Sequence, residues 1–198
     1  RCTGVKRVLV VPEVADALIA KVKAGVEKLG VGDPREPGVV VGPVVSDRSA
    51  DYVTSLIDDA LGKGAKALLG PKRQGRLLWP TLLDHVTEAM RIAWEEPFGP
   101  ALPILRARDM EDAVRIANAS EFGLQSCVFT RDIDRAFHVG RELQVGTCNI
   151  NGADSRGPDH FPFMGCKSSG MLTQGIHYSI SAMTRDRAIT LNLRAPRS

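Results

Sequence analysis

The residues able to do chemistry lie in three segments, and the first is at the start of the chain. Cys2 directly follows Arg1. A neighbouring guanidinium favours the thiolate, which is the nucleophilic form of cysteine. A single cysteine is also commonly an inert, small apolar residue. These two residues alone leave both a nucleophile and an inert thiol open.

The second segment is WEEPFGP, which runs from residue 94 to residue 100. Its prolines and glycine exclude regular structure and predict a rigid turn. A carboxylate on such a turn, Glu95 or Glu96, can accept two hydrogen bonds from sugar hydroxyls, and Phe98 can cover a flat ring. The same residues also fit a solvated acidic turn.

The third segment is a long, polar and glycine-rich stretch from residue 151 to residue 175. Loops of this length within compact domains are usually functional or disordered. Arg156 could clamp a phosphate or a carboxylate with two hydrogen bonds. Phe161 and Phe163 could either wall a pocket or seal the loop onto the core.

The hydrophobic pattern predicts the elements that position these segments. Strands are expected near residues 6–11, 65–69, 77–83, 101–106, 125–130, 146–150 and 188–193, and helices near 12–28, 47–61, 110–118, 133–143 and 176–183. Residues 30–43 are predicted to form a loop. Because parallel strands need crossover connections, this alternation predicts an α/β fold with a mostly parallel sheet and helices on both faces. The last strand has no obvious local partner.

Composition narrows the class of protein. The chain has 198 residues, 43% of them hydrophobic and 25% charged, which is typical of a folded globular protein. A formal charge of +3, spread along the chain, gives no sign of a nucleic-acid surface. No apolar run is long enough to span a membrane, and the four cysteines show no metal-ligand spacing. These features predict a soluble protein with free thiols and no bound metal.

The three segments together resemble the aldehyde dehydrogenase superfamily. RCTGVKRVLV, WEEPFGP and FPFMGCKSSG occur in the family's order and spacing, and VGDP, EFGL and VGTCNIN support them. The resemblance extends to about Leu193. It implies that residues 1–184 belong to the catalytic domain of that fold, while residues 185–198 form a C-terminal oligomerisation strand and tail.

The resemblance also implies roles for individual residues. Cys2 matches the thiol that attacks the aldehyde, giving a thiohemiacetal and then a thioester. Glu96 matches the glutamate that holds the nicotinamide-side ribose of the cofactor, and Phe98 matches the aromatic residue that packs on that ribose and ring. Thr3 and Phe163 fall at positions that line the substrate site.

Within the superfamily, the sequence is similar to the NADP-dependent non-phosphorylating glyceraldehyde-3-phosphate dehydrogenases. The features are the arginine before the cysteine and RGPDHFPF, from Arg156 to Phe163. The resemblance implies that Arg1 and Arg156 bind the substrate phosphate. It further implies oxidation to 3-phosphoglycerate with NADP, or with NAD, by a cytoplasmic glycolytic enzyme that is a homotetramer or a dimer.

Three family features precede the cysteine and are therefore expected outside this sequence. They are the nucleotide-binding domain, the oxyanion-hole asparagine and the glutamate that activates the hydrolytic water. A chain that begins at Arg1 rather than Met leaves an upstream N-terminus open, and by itself it is expected to be nearly inactive. Alternatives are a dehydrogenase for a semialdehyde or an aliphatic aldehyde, a truncated structural or interaction module, and a redox-sensing thiol protein.

Overall fold

The structure is a computed structural model that describes residues 2–155 and 157–193. This part of the chain contains five α-helices and one short 3-10 turn, Arg91–Ala93. The helices are α1 (Pro12–Val26), α2 (Asp47–Gly62), α3 (Met110–Asn118), α4 (Ile133–Glu142) and α5 (Ile176–Met183). None of these helices is long and apolar enough to cross a membrane.

Fourteen short strands accompany the helices in the described residues. They are β1 (Val8–Val10), β2 (Gly30–Val31), β3 (Val39–Val41), β4 (Lys66–Leu69), β5 (Arg73–Gln74), β6 (Leu77–Leu78), β7 (Thr81–Asp84), β8 (Ala101–Arg106), β9 (Phe122–Gly123), β10 (Gln125–Val128), β11 (Thr147–Ile150), β12 (Phe163–Met164), β13 (Cys166–Lys167) and β14 (Thr173–Gln174).

The largest sheet has four strands in the order β1, β8, β7, β4. β8 runs parallel to both β1 and β7, with Val8 opposite Ile104 and Leu82 opposite Leu102. β4 is antiparallel to β7 because the chain between them turns back through the β5–β6 hairpin rather than through a crossover helix. The predicted mostly parallel sheet is therefore confirmed.

Helices cover both faces of this sheet. Leu82 and Ile104 are fully buried against α1, which contributes Ala15 and Ile19 to the same cluster. The residues next in sequence point to the other face, so Leu83 packs with the buried side of α2. Each fully buried leucine contributes about 2 kcal/mol of hydrophobic stabilisation. The two-sided α/β architecture expected from the sequence is thus observed.

A second, smaller parallel sheet consists of β10, which precedes α4, and β11, which follows it. β10 and β11 pair from Gln125 opposite Thr147 to Val128 opposite Ile150, and α4 packs on both strands. Two glycines let neighbouring segments approach this sheet closely. A methyl group on Gly146 would overlap the carbonyl oxygen of Met164, and one on Gly123 would overlap that of Gln144.

The structure differs from the predicted elements in two stretches of the chain. Pro80 splits the predicted strand at residues 77–83 into β6 and β7, because proline has no backbone N–H to donate to a sheet. The predicted loop at residues 30–43 contains the parallel pair of β2 and β3.

The predicted C-terminal strand at residues 188–193 is not confirmed. Residues 184–193 carry no regular structure, and Ile189, Leu191 and Leu193 are more than three-quarters exposed. A strand exists only when another strand accepts and donates its backbone hydrogen bonds, and none of the described strands lies beside this segment.

Candidate functional site

The candidate nucleophile lies in a turn that leads into the edge strand of the main sheet. Cys2 and Thr3 form this turn, and the chain enters β1 at Val8. The Cys2 side chain is exposed, whereas Thr3 is half-buried. An exposed thiol is accessible to a small substrate. Arg1, which is expected to bind substrate phosphate, lies outside the described residues.

Arg7 anchors this segment to the interior, and the sequence analysis did not identify it. Its guanidinium donates hydrogen bonds to the carbonyl oxygens of Ala93 (2.9 Å), Ile116 (3.3 Å) and Ala117 (3.0 Å). It also lies 5.2 Å from the centroid of the Trp94 ring. Burial lowers the pKa of Arg7, although Glu88 opposes this effect. The start of β1 is thereby fixed to the 3-10 turn and to the end of α3.

The two adjacent carboxylates of the acidic turn have different partners. Arg91 donates two hydrogen bonds to Glu95, each 2.8 Å long, and the Tyr52 hydroxyl donates a third of 3.0 Å. The hydrogen bonds from Arg91 hold the pKa of Glu95 below its usual value. Glu95 therefore ties the turn to α2 and to the 3-10 turn.

Glu96 instead lies beside the segment from Cys2 to Arg7, which we call the nucleophile segment. The Lys6 ammonium is 3.4 Å from Oε1 of Glu96 and 4.6 Å from the centroid of the Phe98 ring. Glu96 is half-buried, while the Phe98 ring is 55% exposed. The structure thus brings together two of the predicted cofactor-binding residues and a cation from the segment that begins with Cys2.

A cavity of about 280 Å³ opens next to Glu96 and Phe98. The first turns of α2 form its other wall, and its remaining lining residues are Arg48, Ser49, Tyr52 and Val53. The cavity combines a carboxylate acceptor, an aromatic face, hydroxyl groups and one guanidinium. This donor and acceptor set suits a sugar with a flat ring attached.

The long loop is fixed at its start by side-chain hydrogen bonds. Asn151 adopts a left-handed backbone conformation, and its amide both donates to the Thr130 carbonyl (2.8 Å) and accepts from the Thr130 N–H (2.9 Å). Gln125 of β10 donates from Nε2 to the carbonyl oxygen of Ser155 at 3.1 Å. Arg156, the next residue, lies outside the described part of the chain.

The two phenylalanines of the loop differ in their surroundings. Phe163 is half-buried in β12, where it pairs with Gln174 of β14. Phe161 is 52% exposed and lies edge-on to the His160 ring, with 4.7 Å between the ring centroids. Phe163 is therefore the more buried of the two candidate pocket walls.

The other cysteines differ from Cys2 in their surroundings. Cys127 and Cys148 are half-buried on neighbouring strands, and burial raises the pKa of both thiols. Cys166 is half-buried in β13. Among the four cysteines, which all lie within the described ranges, Cys2 alone is exposed.

Two further features lie apart from the predicted site residues. An open hollow of about 450 Å³ runs along α4, but it contains none of them. Within residues 2–155 and 157–193, no group of histidine, cysteine and acidic side chains is arranged to hold a metal ion.

Comparison with known proteins gives consistent matches over nearly the whole chain. The sequence model of the aldehyde dehydrogenase family matches residues 1–189. The NADP-dependent glyceraldehyde-3-phosphate dehydrogenase of Pisum sativum is 51% identical over 196 residues, which are 99% of this chain and 39% of that protein. The chain therefore spans about two fifths of the length of the curated relatives that it matches.

Solved structures give the same pattern. The NADP-dependent glyceraldehyde-3-phosphate dehydrogenase of Bacillus halodurans, solved with NADP, is 54% identical with a TM-score of 0.95, covering 98% of this chain and 40% of that one. A succinate-semialdehyde dehydrogenase from Burkholderia pseudomallei is 39% identical with a TM-score of 0.84, covering 88% of this chain and 37% of that one.

Proposed function

The chain belongs to the aldehyde dehydrogenase family, and from this premise we propose that its protein oxidises glyceraldehyde 3-phosphate to 3-phosphoglycerate with NADP. The observation that carries the proposal is the identity of 51% and 54%, over almost all of this chain, with two enzymes named for that substrate and cofactor. The identity is 39% with the succinate-semialdehyde enzyme, so this substrate is the second candidate.

Cys2 is the proposed nucleophile. Its sulfur bonds to the aldehyde carbon to give a thiohemiacetal, and the backbone N–H of Cys2 helps to stabilise the developing oxyanion. Once a hydride has left the substrate carbon, the acyl group remains on Cys2 as a thioester, which water cleaves to release the acid. Exposure of Cys2 supports this role, because the sulfur must meet both substrate and water.

Glu96 and Phe98 are the proposed cofactor residues. When NADP is bound, its nicotinamide ring supplies the acceptor for the hydride that leaves the substrate carbon. Glu96 and Phe98 line a cavity of about 280 Å³, and a carboxylate next to an aromatic face suits a ribose that carries a flat nicotinamide ring. Glu96 accepts hydrogen bonds from the ribose hydroxyls, and Phe98 supports the ribose and ring by apolar contact.

Four residues are proposed to bind the substrate. Arg1 and Arg156 hold its phosphate, because a planar guanidinium presents two parallel donors to a phosphate. Thr3 and Phe163 line the channel that leads to Cys2. Support for Arg156 comes from Gln125 and Asn151, which fix the chain on the N-terminal side of this residue.

The assembly and the compartment are also proposals. Residues 189, 191 and 193 expose large apolar side chains on a segment that has no regular structure and no strand partner among the described residues. We propose that this segment pairs with a second copy of the protein in a homodimer or a homotetramer. A cytoplasmic location and a place in glycolysis follow from the proposed substrate.

A comparison of two substrates tests the proposed activity. The protein, as produced from its own gene, should form NADPH from glyceraldehyde 3-phosphate with a kcat/KM roughly 100-fold higher than from succinic semialdehyde. A Cys2→Ser variant is the matched blank and should lose roughly 1000-fold or more with both substrates. The opposite preference would select the second candidate, and full turnover by the variant would refute the role of Cys2.

Substitution of Arg156 tests the phosphate site separately. Loss of its charged hydrogen bonds in Arg156→Ala should raise the KM for glyceraldehyde 3-phosphate by about 10- to 100-fold. The KM for unphosphorylated glyceraldehyde serves as the internal control and should stay within about twofold. An equal rise for both aldehydes would show that Arg156 does not recognise the phosphate.

A further inference from the structure

Lys6 is the cation that connects the nucleophile segment to the candidate cofactor residues. It lies four residues after Cys2 and reaches across to the acidic turn, ninety residues further along the chain. Its ammonium is 3.4 Å from Glu96 Oε1 and 4.6 Å from the centre of the Phe98 ring. The Lys6 and Glu96 side chains are only 26% and 29% exposed, so the pair is partly shielded from water.

We propose that Lys6 is a positioning residue for the nicotinamide half of the cofactor. It acts through Glu96 and Phe98, whose orientation it fixes relative to Cys2. This inference rests on the proposed function, because it assigns to Lys6 the placement of the same two residues that would hold the cofactor.

The two contacts restrain different motions. An ammonium bound at one oxygen of a carboxylate limits rotation of that group. The other oxygen keeps its lone pairs free to accept a hydrogen bond from a ribose hydroxyl. An ammonium over an aromatic face attracts the ring through its quadrupole and limits its rotation. Together they order a carboxylate and a ring that would otherwise lose conformational entropy when the cofactor binds.

Neighbouring residues attach the two backbone segments to the fold, so Lys6 is not needed for that purpose. Arg7 holds the start of β1 through three carbonyl oxygens, and Arg91 holds the turn through Glu95. Removal of the Lys6 charge therefore leaves both backbone segments attached. The expected loss is in the placement of Glu96 and Phe98, with little loss of folding stability.

A binding titration tests the proposal without relying on turnover. NADPH is titrated against the protein from its own gene, and binding is followed by nicotinamide fluorescence. Lys6→Met keeps the length of the side chain and removes its charge, and it should raise the Kd for NADPH about tenfold. Lys6→Arg retains a cation and should restore the Kd to within about twofold.

Lys72 provides a matched control because its ammonium also lies over an aromatic ring, that of Trp79, at 4.0 Å. Lys72→Met should leave the Kd for NADPH unchanged. The KM for the aldehyde and the melting temperature should be nearly the same in all three variants. A merely structural lysine would instead lower the melting temperature and weaken both ligands together.

A double-mutant cycle identifies the partner of Lys6. In a Glu96→Gln background, Lys6→Met should raise the Kd less than it does in the wild type, because one of its two contacts is already lost. Lys6→Gln replaces Lys6→Met if the latter does not fold. An unchanged Kd in Lys6→Met or Lys6→Gln overturns the proposal, and so does an undiminished effect in the Glu96→Gln background. Wild-type protein that binds no NADPH would instead overturn the proposed function itself.

Discussion

At the scale of single residues, the acidic turn separates two carboxylates that are neighbours in sequence. Glu95 receives three hydrogen bonds from Arg91 and Tyr52, whereas Glu96 lies next to Lys6 and the cavity. The sequence alone identified the turn but could not assign these roles from residue type. The one local signal was Arg91, which lies four residues before Glu95 and so can pair with it across a helical turn.

The two glutamates predict opposite phenotypes. Glu95→Gln should lower the melting temperature by a few degrees at most, because it weakens a partly exposed ion pair with Arg91. Its Kd for NADPH should change little. Glu96→Gln should raise the Kd about tenfold at a nearly unchanged melting temperature, because a neutral amide binds ribose hydroxyls less strongly. The reverse pattern in the same two measurements would contradict the assignment.

Long-range contacts explain why the other residues of the site were missed. Lys6 meets Glu96, and Arg7 meets Ile116 and Ala117, across separations of about ninety to 110 residues. Periodicity and spacing report only on neighbours within a few turns of helix or strand. Such contacts become visible only once the sheet has brought β1 beside β8.

At the scale of elements, the main sheet carries an ion pair with a buried carboxylate at the end of β7. The Asp84 side chain is 6% exposed and accepts hydrogen bonds from Nε and Nη2 of Arg106, at 3.1 and 2.9 Å. Burial by itself would raise the pKa of Asp84. The hydrogen bonds from Arg106 and from the His85 N–H outweigh burial and lower the pKa below its usual value.

This lowered pKa predicts how stability depends on pH. Asp84 stabilises the fold above the unfolded-state pKa of about 4, and the stabilisation is lost as the pH falls through the lower folded-state value. Asp84→Asn should therefore reduce the free energy of unfolding by about 2 kcal/mol at pH 7 and by less near pH 3. Urea unfolding at both pH values measures this difference.

Asp58 is a suitable control for that experiment because its side chain is exposed on α2. Asp58→Asn should shift the free energy of unfolding by less than about 0.5 kcal/mol at either pH. An Asp84→Asn deficit that stays constant from pH 7 to pH 3 would show that the lost stability comes from packing rather than from ionisation.

Most elements of the sheet were predictable because their signals are local. Apolar runs and helical spacing gave β1, β8 and helices α1 to α5 within a few residues of their observed bounds. The two-residue strands of the long loop were not predicted, since two residues carry no periodicity. The segment from residue 188 to residue 193 has strand-like alternation but none of the partners that a strand requires.

At the scale of the whole molecule, that same segment is the clearest sign of an incomplete surface. Ile189, Leu191 and Leu193 alternate along the sequence, so they would share one face if the segment paired as a strand, and each is at least 80% exposed. Exposed apolar clusters of this kind mark interaction surfaces. Pairing with a second copy would bury this face and complete the backbone hydrogen bonds.

A single charge on that face tests the proposed pairing. Leu191→Asp should raise the dissociation constant of the oligomer at least about tenfold, because a buried carboxylate without a partner is costly. Thr190→Asp puts the same charge on the opposite face and should have a smaller effect. Light scattering during size-exclusion chromatography reports the mass of each variant. A wild-type monomer, or an intact Leu191→Asp oligomer, would refute the pairing.

The anchoring of Arg7 also has a consequence for the order of events during protein synthesis. The segment that begins with Cys2 is translated well before its supports, because Val8 pairs with Ile104 and Arg7 binds the carbonyl oxygens of Ile116 and Ala117. Until the ribosome has released those residues, the segment from Cys2 to Arg7 lacks the hydrogen bonds that Arg7 makes in the folded protein. The candidate nucleophile is therefore positioned only after Ala117 has left the ribosome, and a nascent chain that stalls before this point carries Cys2 without its supporting contacts.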